Sequence, residues 1–581
     1  HPPPAAPAVY FVQPSRANVR RISTDLGAAL YEAYHLNFSS SLPRPLLEEL
    51  AVESVKTAST AKVARVFDQY LNFVSLGADV FSLAQKDAYV ALNDADDKVV
   101  EAAIAEIVQG LFSVCATLAQ LPIIRCPKGG AAEHIAMLLE KALRDHMKGK
   151  GNLFAESSMG GGGGTGQQRP LLCLFDRNFD LTTALQHVWT YQPLVHDVMG
   201  MRLNRVDIKG ETAADTAAPN TSKKSYDLED NDPFWTANAV ATFPKVAEEV
   251  EVELARYKKA VEALNRQTDL GGDDSDMADN TQKLVSAVQS LPELQERKKV
   301  IDKHTNIATA LLGQIKARGI DEYYAIEEDL LTGKGDKSAV MSLLQATGRG
   351  TPEDKLRLAI IYAMAQSEGM SPADAEALEG ALRASGAEVA ALKFVKYSTS
   401  RDARVSAMPG TGGGGGDDSQ GNLLDWADKL YGQSINAVTK GVKSMLSGGR
   451  QLAVAAAVEA LMANQPTTET EQFAYFDPKA APAGSGSVGQ GRAPNDGVGG
   501  SAYHNAVVFV VGGGNYLEYQ GLQELAQRDR SGSSGGLAGG LGGISGGGGV
   551  HVAPRSIVYG TTEFTTGGEF IAQLSTLGTK I

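Results

Sequence analysis

The sequence predicts a mixed α/β protein that contains an inserted, mainly helical region. Two short apolar runs, 171–175 and 507–511, end at charged or glycine residues, which is typical of strands buried on both faces of a parallel sheet. Between them lies a long block of helical periodicity, 234–385. Because strand–helix patterns stand on both sides of this block, we expect one α/β domain built from two separated segments of chain.

The first segment of the chain, residues 8–83, is predicted to form one strand followed by three helices. Ala8–Val12 is a short apolar run typical of a strand, and it stands at the very start of the sequence. We therefore expect the first strands of this domain to be missing. Apolar residues at three- and four-residue steps predict the helices at 22–34, 44–57 and 61–73.

The same periodicity predicts the other helices, and one more strand is expected at 557–559. Residues 323–331 and 338–345 flank a polar segment, 332–336, so two helices are expected to meet at a polar tip. The predicted helices outside the first segment are 97–118, 131–147, 234–266, 282–316, 323–331, 338–345, 353–366, 372–385, 516–527 and 564–577.

Length, charge and cysteine content limit the class of protein. A chain of 581 residues exceeds what one core usually organises, so two or three domains are expected. The net charge of −14 argues against nucleic acid as the main partner. Cys115, Cys126 and Cys173 are odd in number and have apolar neighbours, which indicates buried thiols in a reducing compartment. No apolar run approaches the roughly 20 residues of a bilayer span.

An acid–base–acid cluster follows the first apolar run. Asp176, Arg177 and Asp180 stand where a strand should reach the end of its sheet, and a metal site or an acid–base pair would use such residues. However, an arginine between two carboxylates lowers their pKa values, which suits neither role. We therefore predict a structural ion-pair knot. His187 and His196 lack the spacing of a metal-binding pair, and no metal or cofactor is expected.

The glycines after the second apolar run invite a nucleotide-binding interpretation. Gly512, Gly513 and Gly514 follow a predicted strand and precede a helix, as in a dinucleotide fingerprint. The third glycine of that motif would fall at Leu517, where the pattern fails. A tight strand-to-helix turn is the favoured interpretation. A nucleotide-dependent α/β enzyme that uses this turn stays as an alternative.

Residues 423–446 form the most clearly amphipathic segment. Glycines at 412–416 and 448–449 flank it, so it is predicted to hang between flexible tethers. Three interpretations stay open: a surface helix, a detachable lid, and an interfacial membrane helix that acts as a tether. The apolar side carries Leu423, Trp426, Leu430, Val438 and Met445.

These motifs together resemble the SM (Sec/Munc) family, which binds SNAREs and guides membrane fusion. The similarity rests on the apolar strand with Asp-Arg-x-x-Asp at 171–180, on the strand and glycines at 507–514, and on Val558-Tyr-Gly-Thr-Thr. The segments 7–14, 42–44, 66–71, 122–125 and 512–516 are most similar to the Sly branch, which serves ER–Golgi traffic. The resemblance covers nearly the whole chain.

The resemblance implies an arch-shaped fold of three domains and no enzyme activity. Domain 1 would be residues 1–83, and domain 2 would combine 84–231 with 470–581. Domain 3, residues 232–469, would be helical, with a SNARE-binding hairpin at 323–362 and the tethered lid at 417–449. The implied partners are the ER–Golgi syntaxin (Qa-SNARE), the other SNAREs of its complex and the vesicle membrane surface. We expect a cytoplasmic monomer, peripherally associated with ER and Golgi membranes.

The resemblance also assigns two sites. A groove of domain 1 would take the N-terminal peptide of the syntaxin, and we expect two successive helices to line it. The hairpin would serve as a platform for SNARE helices. The residues of the groove are Leu47, Leu50, Ala51, Val63 and Val66. The residues of the platform are Tyr323, Leu330, Lys334, Lys337 and Met341.

Overall fold

The structure, a computed structural model, describes residues 6–149, 153–154, 168–209, 223–268, 277–366, 370–407, 450–464, 473–480, 502–534 and 555–581. The chain forms two compact units. The first contains residues 1–177, 454–514 and 522–563, and the second contains residues 178–453, 515–521 and 564–581. Both units are therefore built from separated stretches of chain.

A small parallel sheet opens the first unit. Its three strands, β1 (Ala8–Val12), β2 (Tyr34–Phe38) and β3 (Val63–Asp68), are hydrogen-bonded in chain order. Helices α1 (Arg16–Gly27) and α2 (Arg44–Lys56) connect them, as parallel pairing requires. Strands and helices share one core, formed by Val19, Ile22, Leu26, Tyr34, Leu36, Phe38, Leu42 and Leu50.

The strand–helix–helix–helix order predicted for this region is wrong. Most of the predicted helix 61–73 is the strand β3, and the first helix lies earlier than the predicted 22–34. Strand β2 was not predicted at all. The helical spacing of apolar residues in 61–73 gave the wrong prediction for two reasons. The β-branched and aromatic side chains of Val63, Val66 and Phe67 favour a strand, and pairing with β2 overrides the local helical pattern.

A seven-stranded sheet forms the centre of the first unit, and a separate two-stranded hairpin lies in the second. The remaining strands are β4 (Val74–Gly77), β5 (Val80–Ser82), β6 (Ile123–Pro127), β7 (Leu171–Asp176), β8 (Arg205–Lys209), β9 (Lys223–Asp227), β10 (Phe473–Phe476), β11 (Asn505–Val511) and β12 (Ser556–Thr561). The large sheet has the order β10-β6-β7-β11-β12-β5-β4. Only β10 and β4 run antiparallel to their neighbours.

The two apolar runs of the sequence are neighbouring central strands. Strands β7 and β11 pair in parallel, with Ala506 opposite Leu171 and Val511 opposite Asp176. Residues Leu171 to Phe175 and Ala506 to Val511 are all buried. This confirms the prediction of strands buried on both faces, and it brings together chain segments more than 300 residues apart.

Most of the predicted helices are confirmed, with boundary shifts of a few residues. The remaining helices are α3 (Ala88–Leu92), α4 (Asp97–Leu118), α5 (Ala131–Lys148), α6 (Leu181–Leu185), α7 (Tyr191–Met199), α8 (Pro233–Asn238), α9 (Phe243–Thr268), α10 (Met277–Arg318), α11 (Ile320–Leu331), α12 (Lys337–Gln345), α13 (Pro352–Met364), α14 (Pro372–Ala384), α15 (Ala390–Ala407), α16 (Ala453–Ala463), α17 (Tyr516–Ser534) and α18 (Gly567–Gly578).

Helix α4 is apolar enough to merit a separate description. Within the described residues it is the one helix that is long and apolar enough to suit a membrane span. Its side chains Ile107, Leu111 and Val114 are buried in the core of the large sheet. These contacts are those of a core helix in a folded domain.

The second unit is mainly helical. Helices α9 and α10 pack against each other, and α11, α12 and α13 follow them in the chain. A capping box starts α13, in which the Thr351 side chain accepts from the Asp354 N–H and the Asp354 side chain accepts in return. Helices α11 and α12 confirm the predicted helical hairpin with its polar tip at 332–336.

Two expectations about domains and segments stay predictions. The predicted three-domain division at 83, 231 and 469 does not coincide with the two compact units. Strands β4 and β5 lie within the predicted domain 1, but they belong to the large sheet, which β5 joins by pairing with β12. The predicted lid at 417–449 lies outside the described residues, and so does its apolar side, Leu423, Trp426, Leu430, Val438 and Met445.

Candidate functional site

The end of strand β7 meets the glycine turn that follows β11. Arg177, only 1% exposed, donates from Nη1 to the carbonyl oxygen of Gly513 at 3.1 Å. Gly512 and Gly513 have φ angles of 91° and 99°, which L side chains rarely adopt. A Cβ at Gly512 would also lie 3.3 Å from the Cβ of Arg177. The turn therefore requires glycine for backbone reasons, and a buried guanidinium holds it in place.

The amide groups of this turn already have acceptors. The N–H groups of Gly512 and Gly513 both donate to Thr562 Oγ1, at 3.1 and 3.0 Å. The N–H of Gly514 donates to the carbonyl oxygen of Glu563 at 2.9 Å. A phosphate-binding turn needs backbone N–H groups that point at the ligand. The hydrogen bonding at this turn therefore disfavours the nucleotide-dependent alternative.

The acid–base–acid cluster has structural contacts. The Asp180 carboxylate caps helix α6, where it accepts from the Thr183 N–H at 3.1 Å and from the Thr182 hydroxyl at 2.7 Å. Asp176 is the last residue of β7, and Gly130 approaches its Oδ2 so closely that a Cβ there would collide. In the described part of the chain, no group of three His, Cys, Asp or Glu residues could hold a metal ion. The ion-pair knot of Asp176, Arg177 and Asp180 stays a prediction.

A second buried group of polar side chains is arranged like a catalytic relay, but a substrate could not reach it. Tyr191 Oη lies 2.9 Å from His304 Nδ1, and His304 Nε2 lies 2.9 Å from Asp232 Oδ2. Burial lowers the pKa of His304, so the neutral ring accepts from Tyr191 and donates to Asp232. All three side chains are buried, whereas an acid–base catalyst must reach its substrate. The relay fastens α7, the start of α8 and α10 to one another.

Helix α2 carries a row of exposed apolar residues. Leu47 is 44% exposed and Val55 is 69% exposed, and Ala51 is exposed between them. Residues four apart lie on one face of a helix, so these three form a continuous stripe. Val55 was not among the predicted groove residues. The four-residue step that links Leu47 to Ala51 is the sequence signal that identifies it.

Strand β3 brings Val63 and Val66 to one face of the small sheet. Residues three apart in a regular strand point to opposite faces. Here the register shifts after Val63, so that Val63 pairs with Tyr34 and Val66 pairs with Leu36. Tyr34 and Leu36 both belong to the small core, and Val63 and Val66 therefore face the same side as that core. Val66 is 39% exposed.

The groove residues predicted on two successive helices in fact lie on α2 and β3. The backbone N–H of Leu42, just before α2, donates to Asp68 Oδ1 at the end of β3 at 3.1 Å, which ties the two elements together. Leu50 is 3% exposed and belongs to the small core, against which Val63 packs. Leu47 and Ala51 are thus surface residues, whereas Leu50 lies on the buried side of the same helix.

The predicted platform residues also divide into core and surface. Tyr323 and Leu330 on α11 are buried, and the Tyr323 hydroxyl donates to the Arg349 carbonyl oxygen at 3.4 Å. Lys334 at the tip and Lys337 at the start of α12 are exposed, and Met341 is half-buried. Lys337 pairs with Asp374 at the start of α14. The exposed part of the hairpin is therefore its polar tip and the first turn of α12.

Comparison with protein families identifies this fold. The model of the Sec1 family matches residues 1–573, which is nearly the whole chain. The chain belongs to the Sec1 family. This confirms the resemblance inferred from the sequence motifs, and with it the mixed α/β fold of the SM proteins.

Named members of the Sec1 family match nearly all of this chain and 85–87% of their own length. The SEC1 family transport protein SLY1 of Arabidopsis thaliana is 44% identical over 584 residues, which cover 99% of this chain and 85% of the relative. The human Sec1 family domain-containing protein 1 is 37% identical over 597 residues, with 100% and 87% covered. Protein sly1 of Schizosaccharomyces pombe is 34% identical, with 98% and 86% covered.

Solved structures of Sec1 family proteins superpose on the chain. The crystal structure of Sly1p in complex with an N-terminal peptide of Sed5p has a TM-score of 0.71 and 30% sequence identity, and the match covers 100% of this chain and 85% of that one. The SM protein Vps45 in complex with the Qa SNARE Tlg2 has a TM-score of 0.64 at 18% identity, with 98% and 86% covered. The latter match supports the fold alone.

Proposed function

We propose that this Sec1 family protein binds SNAREs and regulates membrane fusion in ER–Golgi transport. Two of its relatives, at 44% and 34% identity, carry the name SLY1 or sly1. The solved Sly1p structure that matches all of this chain contains an N-terminal peptide of Sed5p. We therefore propose a cytoplasmic protein that associates peripherally with ER and Golgi membranes and whose main partner is the Qa-SNARE of the syntaxin type. No catalytic activity is proposed.

The first proposed contact is the N-terminal peptide of the syntaxin at α2 and β3. The observation that carries this proposal is the exposed stripe of Leu47, Ala51 and Val55, together with Val66 on β3. Rows of exposed apolar side chains are uncommon on protein surfaces without a partner. The small side chain of Ala51 leaves room for an apolar or aromatic ring between its larger neighbours. Leu50 and Val63 support the groove from the core.

Burial of apolar surface would supply most of the affinity of this contact. A single aromatic side chain buries 150–250 Å² in a well-packed site. At about 25 cal/mol per Å², covering the stripe and one ring contributes several kcal/mol before ordering of the peptide is subtracted.

The edge strand β3, exposed along Ala64 to Asp68, is a second surface that an extended peptide could contact.

We expect Leu47→Arg to weaken binding of the syntaxin N-terminal peptide at least tenfold, because a charge would replace the apolar side chain at the start of the stripe. Leu47 is 44% exposed and lies outside the small core, so the variant should fold. The measurement is fluorescence anisotropy with a labelled N-terminal peptide of an ER–Golgi syntaxin, added to the full-length protein.

Val99→Arg is the matched control for this measurement. Val99 is a similarly exposed apolar residue, at 40% against 44% for Leu47, and it lies on α4, outside both α2 and β3. We expect its affinity to equal that of the wild type. Equal losses in the two variants would contradict the groove, as would an unchanged Leu47→Arg protein.

The second proposed contact is the helical hairpin, residues 323–362, as a platform that holds SNARE helices in register. Lys334, Lys337 and Met341 are the predicted platform residues with exposed or half-buried side chains, whereas Tyr323 and Leu330 shape it from the core. We also propose that residues 423–446 act as a lid over this region or as a membrane-contacting helix. The three-domain division at 1–83, 84–231 with 470–581, and 232–469 belongs to the same proposal.

A further inference from the structure

Six ionised side chains are buried together beneath the helical hairpin of the second unit, and we call them the charged joint. Buried charges are rare unless they are paired, because their removal from water is costly. Each member of the charged joint is 8% exposed or less, apart from Arg318 at 16%. The charged joint consists of His187, Asp197, Arg318, Glu327, Asp354 and Arg357.

His187 lies at the centre of the charged joint between two carboxylates. Its Nδ1 is 2.8 Å from Glu327 Oε1, and its Nε2 is 3.1 Å from Asp354 Oδ1. The backbone N–H of His187 donates to the other oxygen of Glu327 at 2.6 Å. An ionised carboxylate only accepts hydrogen bonds. With Glu327 and Asp354 both ionised, each ring nitrogen of His187 donates a proton to a carboxylate, and the ring is then an imidazolium.

Two guanidinium groups complete the charged joint. Arg318 donates to both oxygens of Asp354, from Nη2 at 2.5 Å and from Nε at 3.1 Å. Arg357 donates to both oxygens of Asp197, at 3.3 and 3.0 Å. Such fork-to-fork pairs are among the strongest side-chain hydrogen bonds. With His187 protonated, three cations face three carboxylates, and the charge of the joint is balanced.

The charged joint connects the hairpin to four other parts of the second unit. Glu327 belongs to α11, Asp354 and Arg357 to α13, and Arg318 is the last residue of α10. Arg357 also donates to the carbonyl oxygens of Leu185 and Gln186, at 2.6 and 2.9 Å. These bonds reach the end of α6 and the segment after it.

The far side of the charged joint is also anchored. Asp197 on α7 accepts from the backbone N–H of Gly567 at the start of α18, at 2.8 Å. Gly567 itself lies so close to the Arg357 guanidinium that a Cβ there would collide. Because these bonds are directional and internal, they fix the position of α11 and α13 more narrowly than apolar packing alone.

We infer that His187 is a positioning residue for the hairpin: its permanent positive charge balances the charged joint and thereby holds α11 and α13 in the arrangement that presents the SNARE platform. This inference rests on the proposed function for its effect on binding, but its effect on the hairpin does not depend on any partner. The side chain does not contact the SNARE, because His187 is buried.

The surroundings of His187 agree with a permanent cation. The groups that face it are the carboxylates of Glu327 and Asp354, the Arg357 guanidinium and the ring of Tyr323, whose centroid lies 5.2 Å away. Burial and Arg357 lower the pKa of His187, but the two carboxylates outweigh them and raise it. Burial also raises the pKa of Asp354, but hydrogen bonds from His187 and Arg318 outweigh it, and the pKa lies below its usual range.

The first test observes the imidazolium directly in the wild-type protein. With ¹⁵N-labelled histidine, we expect both ring nitrogens of His187 to show protonated chemical shifts at pH 7.5. His304 is the internal control, since its ring is neutral and accepts from Tyr191 through Nδ1. A neutral tautomer of His187 at pH 7.5 would overturn the inference, whatever the variants below do.

The second test separates charge balance from packing. His187→Gln leaves three carboxylates against two cations, and the double variant His187→Gln with Glu327→Gln restores the balance. We expect amide hydrogen exchange in α11 and α13 to be at least tenfold faster in the single variant and to return most of the way to wild type in the double variant. Exchange in α5, in the first unit, should not change. A double variant as fast as the single one, or an unchanged single variant, would overturn the inference.

Binding then connects the charged joint to the proposed function. Labelled SNARE-motif peptide of an ER–Golgi syntaxin should bind the single variant about tenfold more weakly and the double variant nearly as well as wild type. The N-terminal peptide, whose proposed groove lies in the first unit, should bind all three equally. If the wild type binds no SNARE-motif peptide, the platform fails but the inference on the hairpin stands on hydrogen exchange. If it binds and the single variant binds equally well, the positioning role for binding is wrong.

Discussion

Buried histidines in this protein illustrate how one residue type takes opposite charge states. Two carboxylates raise the pKa of His187, which we infer to be a cation, whereas burial lowers the pKa of His196 to about 4. The His196 ring packs against the rings of Tyr516 and Phe564, with centroids 5.0 and 6.2 Å away. The environment of each ring, and not the sequence around it, decides its charge.

Stability should fall on acidification through His196. Its folded-state pKa lies below the unfolded value of about 6.5, so the unfolded chain binds more protons and the loss begins as pH falls below 6.5. Between pH 6.5 and 4 the full effect is roughly 3 kcal/mol. We expect His196→Phe, which keeps a ring but cannot be protonated, to lose this part of the acid sensitivity in urea unfolding at pH 7.5, 5.5 and 4.5.

The control for this experiment is His35→Phe. His35 is half-buried on β2 in the first unit, so its replacement should leave the acid sensitivity of the second unit unchanged. If the His196→Phe protein loses stability on acidification as steeply as the wild type, the assignment to His196 is wrong.

At the scale of residues, the sequence predicted the position of some candidate site residues but not of others. The strand-end position of Asp176, Arg177 and Asp180 was predicted because charge follows an apolar run. That the Arg177 guanidinium donates to Gly513 was not predictable, because the two residues are 336 positions apart. The charged joint was missed for the same reason, since its members come from four helices and the segment after α6 and share no motif.

At the scale of elements, the helices were the easier part to predict. Helices α4, α5 and α11 to α14 have clear periodicity and were found within a few residues. Strands β2 and β3 were missed because each is short and carries a mixed pattern, and only their pairing reveals them. The consequence for the groove is direct: Val63 and Val66 share a face through a register shift, which no periodicity in one sequence shows.

The start of α12 gives a test at this scale. The Asp336 side chain caps this helix by accepting from the Ser338 N–H at 3.0 Å. Removal of such a cap costs about 1 kcal/mol, and here it lies at the exposed tip of the hairpin. We expect Asp336→Ala to speed amide exchange in the first turn of α12 about fivefold and to weaken binding of SNARE-motif peptide modestly.

Asp329→Ala is the comparison for the Asp336 variant. Asp329 is exposed on α11 and carries the same charge near the same tip, but it caps no helix start. Faster exchange in α12 from both variants would show that the lost charge, and not the lost cap, is responsible.

At the scale of the whole molecule, the sequence predicted the discontinuous α/β architecture correctly. Strands β7 and β11 are neighbours in one sheet although a helical block separates them in the chain. The division into three domains and the arch stay predictions, because the described contacts define two compact units. The length and composition of the chain predicted several domains. They do not show which segments of the chain pack together, and this packing determines the domain boundaries.

Deletion of residues 423–446 tests the proposed lid. We expect the deletion to raise binding of SNARE-motif peptide severalfold, because a tethered apolar helix would no longer cover the platform, and to reduce co-sedimentation with liposomes that contain anionic lipid. Thermal unfolding should not change. The control replaces Lys429, Lys440 and Lys443 with Gln, which keeps the length and the apolar residues of the segment but removes three positive charges. If the deletion changes neither binding nor co-sedimentation, the lid and the membrane-contacting role are both wrong.

The large sheet ends in a reversed strand on each side, β4 and β10, and each is only four residues long. A long parallel edge would offer a row of free hydrogen-bonding groups to any extended chain. The short, reversed borders of this sheet offer an extended chain few such groups. If the groove and the hairpin bind SNAREs as proposed, partners would be selected by side chains there and not by strand addition to this sheet. The same borders protect the sheet against edge-to-edge aggregation.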